Sequence, residues 1–138
     1  MTNASVEETA KAWLHEMEAC VRDVDFTRAR HIFSPEVVGF GSFSAMLVGL
    51  DELERDQWRR VWPAIRAFTF DTNELRCETG GDFIWIACPW TSEGQAADGS
   101  WRDRPGRMTA VLKRVDDRWL AIHTHFSQAP SGTITVSR

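Results

Sequence analysis

The sequence contains no tyrosine, which removes the phenol as an acid or hydrogen-bond donor from any site this chain could build. Cysteine is scarce: three residues, Cys20, Cys77 and Cys88, an odd number whose spacing matches no zinc or redox motif. Reduced, structural thiols are the expectation. An excess of positive charge is also missing. The formal net charge is -4, which argues against a general nucleic-acid binder with its basic stripe. No apolar run approaches the ~20 residues that a membrane-spanning helix needs. The first ten residues, MTNASVEETA, lack a basic region followed by an apolar core, so a cytoplasmic protein without a secretory signal is expected. There is no G-x-S-x-G, no paired-carboxylate signature and no glycine-rich phosphate loop, and no cofactor is expected.

What the chain has instead is large rings. Seven Trp and eight Phe stand among 138 residues, a length that suits one domain. That is more aromatic surface than a small core normally needs, so the rings either fill the core or line a cavity. The domain is placed at residues 1–130, with 131–138 as a small, polar C-terminal tail in which Thr133–Val136 could pair at a sheet edge.

Ser5-Val6-Glu7-Glu8 reads as a capping box. Behind it Val6, Ala10, Trp13, Met17, Val21 and Val24 recur at three- and four-residue steps, the stripe of a helix of about five turns. Glu7, Lys11, Glu18 and Arg22 occupy its other face. Asp25 is placed to cap a short second helix reaching His31, which Ser34-Pro35 ends. Residues 37–48 read as a hairpin or bulged strand pair. A third helix starts at Gly49-Leu50-Asp51, with Asp51 and Glu54 as a capping-box-like pair, and stops at Pro63. Strands follow: 65–71, continued at 75–78, then 83–90, 107–115 and 118–127. The almost unbroken apolar run FIWIACPW predicts a central strand covered on both faces. Residues 92–106 read as a loop.

Helices thus precede strands, which gives an α+β class: a cone-shaped, curved antiparallel sheet wrapped around three N-terminal helices, a cystatin-like roll. The open mouth of such a cone is a natural small-molecule pocket.

The order of these features resembles a known superfamily. Asp25-Phe26, Phe40 with Gly49-Leu50-Asp51, and Trp62 closing the third helix are similar to nuclear transport factor 2-like proteins. The last strand, Trp119-Leu120-Ala121-Ile122-His123-Thr124-His125-Phe126-Ser127-Gln128-Ala129-Pro130, has the W-x-x-x-H-x-H-x-S-x-A-P pattern of calcium/calmodulin-dependent kinase II association-domain-like proteins. Bacterial single-domain members close to the SnoaL-like proteins look nearest. The resemblance implies the cone-shaped barrel and a homodimer through the outer sheet face. It implies no single reaction, since isomerases, dehydratases, cyclases and association modules share the fold. Two departures are informative. Ketosteroid isomerases of the superfamily use a Tyr, absent here, and a general-base Asp where this chain has Gly41. The pocket arginines of the kinase association domains correspond to Ala110 and Phe126, which favours a more apolar ligand.

Three constellations are candidates for chemistry. His123 and His125 share a strand face with Trp119 and Ala121, while Leu120, Ile122, Thr124 and Phe126 share the other, which should look into the cone. The histidines are either a general acid/base pair or a hydrogen-bonded ladder at a dimer interface. A metal would need a third ligand that no HExxH or Cys pair supplies, so no metal is expected. Arg107, the third catalytic candidate, either anchors an anion or pairs with Asp82, Asp103 or Glu93. Trp13, Phe40, Trp58, Trp62, Trp90, Trp101, Thr124 and Phe126 are the candidate pocket lining. Trp90 and Trp101, flanking the loop, suit a rim. Two functions stay open. One is binding of a small hydrophobic ligand, with acid/base catalysis of the isomerase, cyclase or dehydratase type by His125, His123 and Arg107. The other is a non-catalytic homodimerisation or association module.

Overall fold

The computed structural model describes residues 3–130; the tail, with its expected edge pairing at 133–136, lies outside the described residues. Helix α1 runs Asn3–Asp23. It begins before Ser5, so Ser5 stands inside the first turn rather than at the N-cap. The apolar stripe faces inward, with Val6, Ala10, Trp13, Leu14, Met17 and Val21 all buried. Asp25 caps α2 (Phe26–Ala29) as expected, accepting from the Arg28 N–H at 3.0 Å. A 3-10 turn, Arg30–Ile32, extends α2 to the start of β1.

Strands β1 (Phe33–Gly41) and β2 (Ser44–Val48) form the expected hairpin. The third helical stretch is not uniform. Helix α3 (Leu50–Leu53) passes into a π turn (Glu54–Trp58), helix α4 (Arg59–Val61) and a 3-10 turn (Trp62–Ala64). Its N-cap is Gly49, with no side-chain cap. Asp51 and Glu54 instead both bind Arg30, at 2.7 and 3.0 Å, and tie this stretch to the end of α2. Glu52 takes the capping part, accepting from the Val48 N–H at 2.9 Å.

Then come β3 (Ile65–Phe70), β4 (Arg76–Gly80), β5 (Phe83–Gln95), β6 (Trp101–Asp103), β7 (Gly106–Val115) and β8 (Arg118–Gln128). The sheet order is β2-β1-β8-β7-β5-β3, with β4 and β6 also paired to β5. The sheet is mixed, not wholly antiparallel, because β1 runs parallel to β8. Alternation is cleanest in β5: Ile84, Ile86, Cys88 and Trp90 are buried, while Phe83 and Trp85 are exposed. The strand therefore has one covered face, not two. The stretch read as a loop is a continuation of β5 to Gln95 and its return in β6.

Two polar residues assigned to the outer side of α1 grip the sheet. Arg22 Nε donates to the Phe68 carbonyl at 2.6 Å, and Glu18 accepts from the Phe70 N–H at 2.8 Å. They hold the strand at and just after the register shift in β3, where Ala67 has φ 57°. A bulge in β8 also matters. Val111 faces His123, but Leu112 faces Ala121, so Ile122 is the extra residue. Below the bulge the faces exchange. Ala121 turns to the core, fully buried, and Trp119 packs against it, contrary to the simple alternation.

Candidate functional site

Two aromatic clusters stand inside the fold. In the first, Phe26 stacks on Trp62 and Trp62 on Trp58, with centroids 5.3 and 4.7 Å apart. Phe33 continues it edge-on against Trp58, and Trp13 packs on Phe33. In the second, Phe68 touches Phe70, Trp90 and Phe126. Between the clusters lies a narrow, solvent-open cavity with free space of about 30 Å³. Trp58 and Trp62 form one side, Phe68, Trp90 and Phe126 the other, with Met17, Val21, Leu53, Val61 and Ile65 between them.

Of the residues expected to line it, Phe40, Trp58, Trp62, Trp90, Thr124 and Phe126 do so. Phe40 also turns its ring toward the outer face of the sheet, 5.3 Å from His125 and 6.1 Å from His123. Trp13 and Trp101 are not part of the lining. Trp13 is a core residue whose indole N–H donates to the Ile32 carbonyl at 3.0 Å. Trp101 lies under the Arg66 guanidinium, 4.0 Å from its ring centre.

The polar end of the cavity was missed entirely by the sequence reading. Ser42, Gln57 and Arg104 line it. Arg104 Nη2 donates to Ser42 Oγ at 2.7 Å, and Gln57 Nε2 reaches the same oxygen at 3.5 Å. Gln57 Oε1 accepts from Ser44 Oγ at 3.1 Å. Gln57 and Trp58 both sit in the π turn, whose wider winding is often found at functional sites. Arg104 is placed by Ser92 on β5. The Arg104 N–H donates to the Ser92 carbonyl, and the buried Ser92 Oγ donates to the Arg104 carbonyl, both at 2.8 Å. The guanidinium is half-buried, 5.3 Å from the Trp90 ring centre, and no carboxylate pairs with it among the described residues. Burial pulls it below the usual arginine pKa. The neighbouring Trp90 Nε1–H is buried without a hydrogen-bond partner, alone in this among the described side chains.

His123, His125 and Arg107 are placed elsewhere. None of the three lines the cavity. His123 Nδ1 lies 2.9 Å from the Val38 carbonyl, holding β8 to β1. Arg107 Nε donates to Ser127 Oγ at 3.1 Å and, among the described residues, pairs with none of the acids Asp82, Asp103 and Glu93. Glu93 is taken by Arg66. Arg107 and His125 instead edge a broad hollow on the other face of the sheet, together with Arg76 and Glu74. Among the described residues no three His, Cys, Asp or Glu side chains are grouped to hold a metal. The thiols are poor nucleophiles. Burial, with help from nearby acids, pushes Cys20 and Cys88 up to about 11.

This architecture is matched in known proteins. The SnoaL-like domain family model fits residues 6–131. The chain belongs to the SnoaL-like domain family. No curated protein matches it in sequence. Among solved structures, it is similar to a nuclear transport factor 2-like superfamily protein of Salmonella enterica, at 14% identity and TM-score 0.82, covering 99% of this chain and 100% of that one. A ketosteroid isomerase-like protein of Erwinia carotovora follows the same trace at 15% identity and TM-score 0.77, covering 94% and 100%. A provisionally named calcium/calmodulin-dependent protein kinase II association domain of Xanthomonas campestris does so at 17% and 0.71, covering 89% and 84%. At these identities the likeness shows the nuclear transport factor 2-like fold, not an activity. The SnoaL-like chain also contains no described helix long and apolar enough to cross a membrane.

Proposed function

We propose that this SnoaL-like protein binds a small, flat, largely apolar molecule in the cavity between its two aromatic clusters. The observation that carries the reading is the make-up of the cavity: walls of Trp58, Trp62, Phe68, Trp90 and Phe126, with polar groups gathered at one end. That mixture of apolar wall and few polar groups is the one small-molecule sites show. The free space of about 30 Å³ is well below the roughly 300–1,000 Å³ of such sites, so on this reading the guest enters by displacing side chains of the wall. The side chains lining the cavity include no histidine and no carboxylate. The role supported is therefore capture and orientation of the guest. Polarisation by Arg104 is available, but these lining side chains supply no proton-transferring base at neutral pH.

The test is calorimetric titration with a panel of one- to three-ring aromatics, neutral and acidic, on the wild type and on Val61→Trp, which fills the cavity from α4. Saturable binding that Val61→Trp abolishes is expected. Failure of every compound to bind at millimolar concentration, or binding unchanged in Val61→Trp, contradicts the reading.

A second reading, homodimerisation through the outer sheet face, is supported by the exposed Phe83 and Trp85 of β5. The pairing continues from Trp85 through Val111 and His123 to Val38, one row across four strands. An apolar row crossed by a histidine fits a second copy of the same chain better than solvent. On this reading His123 and His125 are interface residues.

A further inference from the structure

Resting on the ligand-binding reading, we infer that the guest carries an oxyanion, a carboxylate or an ionised hydroxyl on its ring system, seated between Arg104, Ser42 and Trp90. The argument is an inventory of donors and acceptors. Arg104 brings N–H donors and no acceptor. Ser42 Oγ already accepts from Arg104 and from Gln57, which takes both of its lone pairs and leaves its O–H to donate. The Trp90 indole N–H is buried with no acceptor among the described residues. Gln57 Oε1, the one strong side-chain acceptor at this end besides hydroxyls, is engaged by Ser44. The polar end of the cavity is thus a cluster of donors awaiting an acceptor.

Charge points the same way. A half-buried guanidinium with no carboxylate partner is uncommon, because desolvating a cation without a counter-ion is costly. It is also well held. Ser92 fixes its backbone from both sides, and Trp90 lies along its guanidinium. An anion arriving here would find its donors already placed, which lowers the cost of binding. The two strands that would carry cavity arginines by resemblance have Ala110 and Phe126 at those positions. The cation enters instead from the segment between β6 and β7, which revises the expectation of a purely apolar guest.

The experiment uses two probes of one shape, naphthoate and naphthamide, titrated calorimetrically at neutral pH into the wild type, Arg104→Met and Arg104→Lys. In the wild type naphthoate should bind about tenfold or more tighter, the usual worth of a hydrogen bond to a charged group. Arg104→Met should bring the two probes to within about twofold of each other by weakening naphthoate alone, and Arg104→Lys should restore part of the preference. Equal affinity in the wild type, or a preference that survives Arg104→Met, overturns the inference while leaving the cavity reading intact. The wild-type comparison decides even if a variant fails to fold. Binding of neither probe counts against both readings.

Discussion

The amide of Gln57 fills the space that a side chain at residue 41 would need. A Cβ on Gly41 would stand 2.0 Å from Gln57 Cδ and 2.1 Å from its Oε1. Residue 41 is where the resemblance to ketosteroid isomerases would place a carboxylate, and here the neutral amide from the π turn takes that room instead. Gly41→Ala should therefore push Gln57 out of its bonds to Ser42 and Ser44. A loss of about 1 kcal/mol is expected from urea unfolding, the net worth of the hydrogen bonds displaced. In a Gln57→Ala background the same substitution should cost almost nothing, since the neighbour that must move is gone.

A harder limit applies at Gly106. A Cβ there would meet Trp90 Cζ2 at 2.0 Å, and that indole is held by Phe68 and Phe126 as well. Gly106→Ala should cost about 1–3 kcal/mol, as overpacking of a filled core does. It should also perturb naphthoate binding, because the ring that must shift is a cavity wall. Thermal denaturation beside calorimetry checks both effects.

Ser92 acts on the site through Arg104. Ser92→Ala removes the bond from Oγ to the Arg104 carbonyl and leaves a buried acceptor unpaired. We expect a stability loss of about 1–2 kcal/mol. Naphthoate affinity should weaken while naphthamide affinity holds, which a merely structural role would not produce. Ser92→Thr, which keeps the hydroxyl, should rescue the preference.

Thiol ionisation sets a pH limit. Cys20 and Cys88 are raised from about 9.0 to about 11 in the folded chain, mainly by burial. A group that is harder to ionise when folded stabilises nothing below its unfolded pKa and opposes folding above it. The urea midpoint should thus fall as pH rises from about 9 towards 11, and Cys88→Ala should flatten part of that fall. At neutral pH, alkylation of both thiols should be slow unless the chain is unfolded.

The outer face makes its own prediction. Trp85→Asp places a charge in the middle of the exposed apolar row. Sedimentation equilibrium should show a wild-type dimer and a folded Trp85→Asp monomer. A monomeric wild type contradicts that reading. His125→Ala should weaken the dimer without changing naphthoate affinity.

How much of this could be read from the residues depends on where the ordering comes from. The α1 stripe and the Asp25 cap are local, and the sequence reading places them correctly. The rings of Trp58, Trp62, Trp90 and Phe126 stand around the cavity, where period and strand alternation aim them. The β8 bulge at Ile122 is not visible in an alternating run, and it exchanges the faces of Ala121 and Trp119. The parallel pairing of β1 with β8 joins residues such as Val38 and His123, 85 apart in the chain, and has no local mark. Arg104 has no mark in the sequence, because 92–106 carries no periodicity. Its position comes from Ser92 on the facing strand, a contact that exists only once β5 and β6 have paired.

The central claim is that a guest occupies the cavity between the aromatic clusters, and the seven tryptophans make it directly observable. Indole N–H resonances, assigned by single Trp→Phe substitutions, can be followed during a naphthoate titration. The account predicts saturable shifts for Trp58, Trp62 and Trp90, largest for Trp90, whose N–H gains an acceptor. Trp13, bonded to Ile32, and Trp85 and Trp101, outside the cavity, should stay in place. Shifts confined to Trp85 or Trp101, or none up to millimolar probe, would contradict it.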